Sequence, residues 1–74
     1  MEKITISTPY IKLDQLLKWS GIVTDGSDAK ILIQEGFVLV DDVQELRRGR
    51  KCYPDMVVTV KTPQDLKQLI VAKE

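Results

Sequence analysis

Residues 11–40, IKLDQLLKWSGIVTDGSDAKILIQEGFVLV, decide the fold. Leu13, Leu16 and Leu17 fall at i, i+3 and i+4, so a helix over Ile11–Ser20 carries one apolar stripe. Asp14 lies in its first turn, where negative charge complements the exposed amides. Gly21 suits the left-handed position just past a helix end. Thr24-Asp25-Gly26-Ser27 has turn composition. A second helix is predicted from Asp28 to Glu35, capped by the Ser27 hydroxyl, with Ala29, Leu32 and Ile33 facing inward and Gly36 as its stop. The link from Gly21 to Gly26 is short enough for the two helices to pack as a hairpin. Phe37-Val38-Leu39-Val40 follows as a strand.

Upstream, Lys3 to Ser7 alternates apolar and polar residues, which predicts a half-buried strand. Thr8-Pro9 ends it, because proline donates nothing to a sheet ladder. Downstream, Asp41-Asp42 is a turn, Val43 to Leu46 a short returning strand, and Arg47-Arg48-Gly49-Arg50-Lys51 a basic loop. Tyr53-Pro54-Asp55 is a second turn, and Met56 to Lys61 is a strand rich in β-branched residues. Thr62-Pro63-Gln64-Asp65 has the chemistry of a helix start, and Leu66, Leu69 and Ile70 repeat at i, i+3 and i+4. A short C-terminal helix from Thr62 to about Val71 is therefore expected, with a strand through Leu69-Ile70-Val71 as the alternative. The fold class is α+β: a helix pair packed on a small, mostly antiparallel sheet, with residues 1–74 forming a single domain.

The 74 residues bound what such a domain can do. A chain of this size buries only roughly 60% of its unfolded surface, which leaves one core and no deep cleft. The 43% hydrophobic content suffices for folding. No apolar run approaches the ~20 residues of a membrane span, and Met1-Glu2-Lys3-Ile4 lacks the layout of a signal peptide. The expected location is cytoplasmic, with no membrane partner. One cysteine and no histidine exclude an internal disulfide and a four-ligand zinc site. They also remove the commonest general base and any Cys–His nucleophile pair. Asp14, Asp25, Asp28, Asp41, Asp42 and Asp55 are scattered over turns and helix starts, where aspartate serves local hydrogen bonding. Neither catalysis nor a metal or cofactor is expected.

The formal net charge is zero, yet the charge is segregated. Arg47, Arg48, Arg50 and Lys51 fill four of five consecutive positions, and acids outnumber bases in the remainder. A local cluster of this kind is the electrostatic footprint of a phosphate binder. Arginine offers a planar fork that meets phosphate oxygens two at a time. Gly49 lets the backbone bend, and Lys51 adds a point charge. The competing reading is a solvated loop paired with Glu45 and Asp42. Lys30 stands near the start of the second helix, where exposed amides favour anions. Lys12 and Lys18 lie off the leucine stripe. Tyr10, Trp19 and Tyr53 are candidates for stacking on bases. Trp19 reads rather as a core residue, while Tyr53 adjoins the basic loop. Cys52 reads as a small buried hydrophobe, with a thiol activated by the neighbouring cations as the alternative.

Four pieces resemble the S-four RNA-binding domain family, named for ribosomal small-subunit protein four, and its small stand-alone YaaA-like branch. Ile11-Lys12-Leu13-Asp14-Gln15-Leu16-Leu17-Lys18 is similar to the family's first helix. Gly26-Ser27-Asp28-Ala29-Lys30 resembles its Gly-Gly-Glu-Ala-Lys helix start. Gln34-Glu35-Gly36-Phe37-Val38-Leu39-Val40 resembles its helix stop and first strand, and Arg47 to Lys51 followed by Tyr53-Pro54 its basic loop. The resemblance covers about Ile4 to Val60. It implies non-catalytic binding of structured RNA, often ribosomal. The contacts expected are Arg47, Arg48, Arg50, Lys51 and Lys30, with Lys18, Lys12 and Tyr53 beside them. The chain is expected to act as a monomer. The alternative partner is a ribosomal or other acidic protein meeting the basic loop. Three positions depart from the family pattern: Asp41-Asp42 replaces Asn-Gly, Asp55-Met56 replaces Gly-Asp, and Ser27 replaces the second glycine. Asp-Asp suits a turn with two positive φ angles less well than Asn-Gly, and each added acid offsets attraction to phosphate.

Overall fold

The computed structural model describes residues 1–74. In chain order the elements are β1 (Glu2–Ile6), β2 (Ile11–Lys12), α1 (Leu13–Trp19), α2 (Gly26–Gln34), β3 (Val38–Val40), β4 (Val43–Gln44), β5 (Lys51–Cys52), β6 (Val57–Lys61) and β7 (Leu66–Lys73). One sheet has the order β1-β7-β6-β3-β4, and a separate ribbon pairs β2 with β5. Every pairing is antiparallel except β1 with β7, which run parallel with Glu2 opposite Leu69 and Ile6 opposite Lys73. No helix is long and apolar enough to cross a membrane.

The helix pair forms as the leucine spacing predicts. Leu13, Leu16 and Leu17 of α1 are fully buried, and Ala29 and Ile33 of α2 with them. They join Ile4, Ile6, Val38, Val40, Val58, Val60, Leu69 and Val71 of the sheet, and Cys52 of the ribbon, in one core cluster. Each buried Leu or Val contributes roughly 1.5–3 kcal/mol relative to exposure, so this one cluster holds both layers together. Both helices end as expected: Gly21 and Gly36 have φ of 82° and 84°. At Gly36 an added Cβ would also lie 2.5 Å from the Gln44 amide nitrogen and push that side chain off its bond to the Gly36 carbonyl.

The tail corrects the expected C-terminal helix. Leu66–Lys73 is a strand, paired with β6 on one side and β1 on the other. Its periodicity is ambiguous: Leu66, Leu69 and Ile70 fit a helix, whereas buried Leu69 and Val71 flanking half-buried Ile70 fit a strand. Sheet pairing decides between them, because a strand here satisfies the backbone of both neighbours. The Thr62-Pro63-Gln64-Asp65 segment turns the β6–β7 hairpin instead of starting a helix. The Asp65 amide bonds to the Thr62 hydroxyl at 3.1 Å, and the Thr62 amide to the Asp65 carbonyl at 2.9 Å.

Smaller corrections have local causes. Helix α1 starts at Leu13 rather than Ile11, because Ile11 and Lys12 are drawn into the ribbon. Helix α2 starts at Gly26, and its cap is Asp25, not Ser27: the Asp25 carboxylate accepts from the Asp28 amide at 3.0 Å. The returning strand is only Val43–Gln44. Trp19 is 70% exposed and not a core residue. At 100° per residue it lies nearly a third of a turn from the centre of the leucine stripe.

The aspartates at the departures from the family pattern adopt the backbone that glycine would. Asp41, Asp42 and Asp55 have φ of 50°, 69° and 76°. Aspartate is among the few side chains that tolerate this region. Asp41 gains a bond to β6 by it, accepting from the Val57 amide at 2.9 Å.

Candidate nucleic-acid interface

The amides of a helix's first turn have no partner within the helix. In α1 two of them are met by the basic loop. The Leu13 amide donates to the Arg50 carbonyl at 2.9 Å and the Asp14 amide to the Arg48 carbonyl at 3.1 Å. Lys12, at the N-cap, supplies no side-chain bond. The loop is therefore fastened to the helix pair by backbone, without using its side chains. The ribbon adds a second fastening, pairing Ile11 with Cys52 and Lys12 with Lys51.

Glu45 organises the arginines. It is buried, at 8% exposure. Its Oε2 accepts from the Arg47 amide and Nε, both at 3.1 Å, and its Oε1 from Arg50 Nη1 at 2.9 Å and Arg47 Nη2 at 3.3 Å. The Arg47 hydrogen bond, helped by Arg50 and opposed by burial, lowers the Glu45 carboxyl from 4.5 to about 2. The same carboxylate raises the Arg47 guanidinium above its ordinary value. The competing reading of the loop is thus met in part: Arg47 and Arg50 share Glu45. Asp42 forms no ion pair with the loop.

Arg48, Lys51 and Lys12 have no ion pair. Lys51 and Lys12 are direct cross-strand neighbours, an arrangement of like charges that destabilises a ribbon by roughly 0.2–1 kcal/mol. An anion between them relieves that repulsion. Lys51 Nζ also sits 4.9 Å from the Tyr10 ring centre, and Tyr10 meets Tyr53 at 5.7 Å between centroids. The structure so gathers Arg47, Arg48, Arg50, Lys51, Lys12 and Tyr53 around the α1 N-terminus. Lys18 is exposed in the last turn of α1, at the opposite end from the loop. Lys30 is exposed on α2, with no ion pair or side-chain hydrogen bond to the loop.

Two roles escaped the sequence reading. Glu45 appeared only as a neutralising neighbour, although one carboxylate two and five residues from two arginines has the reach to clamp both. Tyr10 joins the cluster through the ribbon, which sequence spacing does not reveal. Cys52 is buried beside the Arg50 carbonyl, its Sγ at 3.7 Å. Burial pushes its thiol up to about 11, outweighing the nearby Arg50 charge. That is the opposite of an activated thiol.

A family model described as the S4 domain matches residues 4–67. The probable ribosome maturation protein RlbA of Bacillus subtilis (strain 168) is 41% identical over 58 residues, covering 78% of this chain and 82% of that protein.

Proposed function

The chain belongs to the S4 domain family, and from that premise we propose that it binds structured RNA, ribosomal RNA in particular, without catalysing a reaction on it. The observation that carries this reading is the fastening of the basic loop to α1 through the Arg48 and Arg50 carbonyls. It holds a cationic ridge in place before any ligand arrives, so little loop ordering opposes binding.

On this reading Arg48 makes a forked phosphate contact. Arg47 and Arg50 present the edges that Glu45 leaves free, and Lys12 and Lys51 straddle a neighbouring phosphate. Lys30 and Lys18 extend the contact along the helix pair, and Tyr53 packs against the ligand. Recognition is by backbone shape and 2′-hydroxyls, as for double-stranded RNA generally. Residues 1–74 act as one monomeric, cytoplasmic domain. The relative's description as a ribosome maturation protein favours ribosomal RNA during assembly as the target.

The test is a titration of labelled structured ribosomal RNA fragments at two salt concentrations, with wild type and with Arg47→Ala/Arg48→Ala/Arg50→Ala. Engagement of four to five phosphates lowers log affinity with log salt at a slope of roughly −3 to −4. Salt-sensitive binding, lost in the triple variant, is the expected result. A folded wild type that binds no RNA at low salt overturns the reading. It would favour instead an acidic protein partner meeting the loop through its unpaired Arg48 and Lys51.

A further inference from the structure

Helix α1 shows solvent a second face. Lys12, Gln15 and Trp19 share it, and with Tyr10 and the Ser7–Pro9 segment they line an open groove of about 780 Å³. That lies within the roughly 300–1,000 Å³ typical of ligand sites. Trp19, the only tryptophan of the chain, leaves most of its ring to water there. The groove is continuous with the basic ridge, because two residues belong to both. Lys12 lines the groove and pairs across the ribbon with Lys51. Tyr10 lines it and carries the Lys51 ammonium over its ring.

We propose that this groove is a subsite for one unpaired nucleobase next to the RNA helix, the base stacked on Trp19 and its phosphate held by Lys12. The proposal rests on the RNA-binding reading above. An indole face offers stacking to any base, and aromatic platforms serve unpaired nucleotides in this way. The Gln15 amide supplies a donor and an acceptor for the base edge. Among the side chains lining the groove, Lys12 is the one cation, at the ridge end, and Glu74 the one acid. One cation matches one phosphate, and the acid in the lining disfavours a second. The occupant is therefore one nucleotide rather than a long single strand.

The test uses a hairpin RNA with and without a short single-stranded extension, titrated against the full chain while the Trp19 emission is followed. Stacking on an aromatic side chain strengthens binding by about tenfold. The extended hairpin should bind tighter than the blunt one by that factor and quench Trp19. Trp19→Leu should remove the difference without weakening the blunt hairpin, and Trp19→Phe should restore most of it. Trp19 is exposed, so circular dichroism of both variants should match wild type. Equal binding of both hairpins with unchanged emission, while Arg48→Ala still weakens both, overturns the subsite alone and leaves the groove to a protein partner. Failure of wild type to bind either hairpin overturns the RNA reading and this proposal together.

Discussion

Replacing Glu45 with glutamine should loosen the loop and flatten the acid side of the stability profile. The carboxylate accepts four hydrogen bonds, from the Arg47 amide and guanidinium and from Arg50. Its pKa is about 2 in the folded chain against 4.5 for the ordinary group. The folded state therefore holds the charged form more tightly than the unfolded state does. That contribution is fully present above pH 4.5 and fades as pH falls toward 2. Hydrogen bonds to charged groups contribute about 1.5–3 kcal/mol when buried, and exposed ion pairs only about 0–1 kcal/mol. Glu45 is 10% exposed at its side chain, but Arg50 is 33% and Arg47 74% exposed, so solvent screens much of the attraction. Weighing the two, Glu45→Gln should cost about 1–2 kcal/mol at pH 7. At about 4–8 °C per kcal/mol for a domain of this size, the melting temperature should fall measurably. Urea melts of both proteins from pH 7 to pH 2 check this. Wild type should lose stability across the window from 4.5 to about 2, and the difference between the two proteins should close there. Parallel curves over the whole range, or equal stability at pH 7, would refute the clamp.

Other expectations are independent of it. Arg48→Ala should weaken RNA binding and make the salt slope shallower by roughly one, while leaving the fold intact, because the loop uses only the Arg48 carbonyl; circular dichroism and a salt titration read both. Asp42→Gly should stabilise the chain by up to about 1 kcal/mol, since Asp42 holds φ of 69°; a lower melting temperature would contradict the strain argument. Cys52 should resist thiol alkylation at pH 8 in the folded protein and react once denaturant is added, because its thiol sits at about 11; mass spectrometry after a timed iodoacetamide quench counts the adducts.

The helix pair was legible because its signals agree: a leucine stripe, a glycine stop after each helix and a short polar link. The tail was not. Thr62-Pro63-Gln64-Asp65 carries the same side chain-to-backbone chemistry whether it starts a helix or closes a hairpin, and only the sheet on either side selects the hairpin. The basic loop was visible as a run of charge, but its setting was not, because β2 and β5 are two residues long and pair across most of the chain. Trp19 was misjudged by residue type. Its spacing from Leu13 and Leu17, about 120° and 160° around the helix, places it off the core face.

The parallel pairing of β1 with β7 carries a consequence for synthesis. Strand β1 is made before every other element of this domain, and β7 is its only neighbour in the sheet. While the chain is being translated, Ile4 and Ile6 have no sheet partner until Leu69 to Lys73 have emerged. The helix hairpin and the β3–β4 turn form from local contacts and can assemble earlier. The basic loop is thus presented before the sheet closes, and the domain's final stability arrives with its last strand.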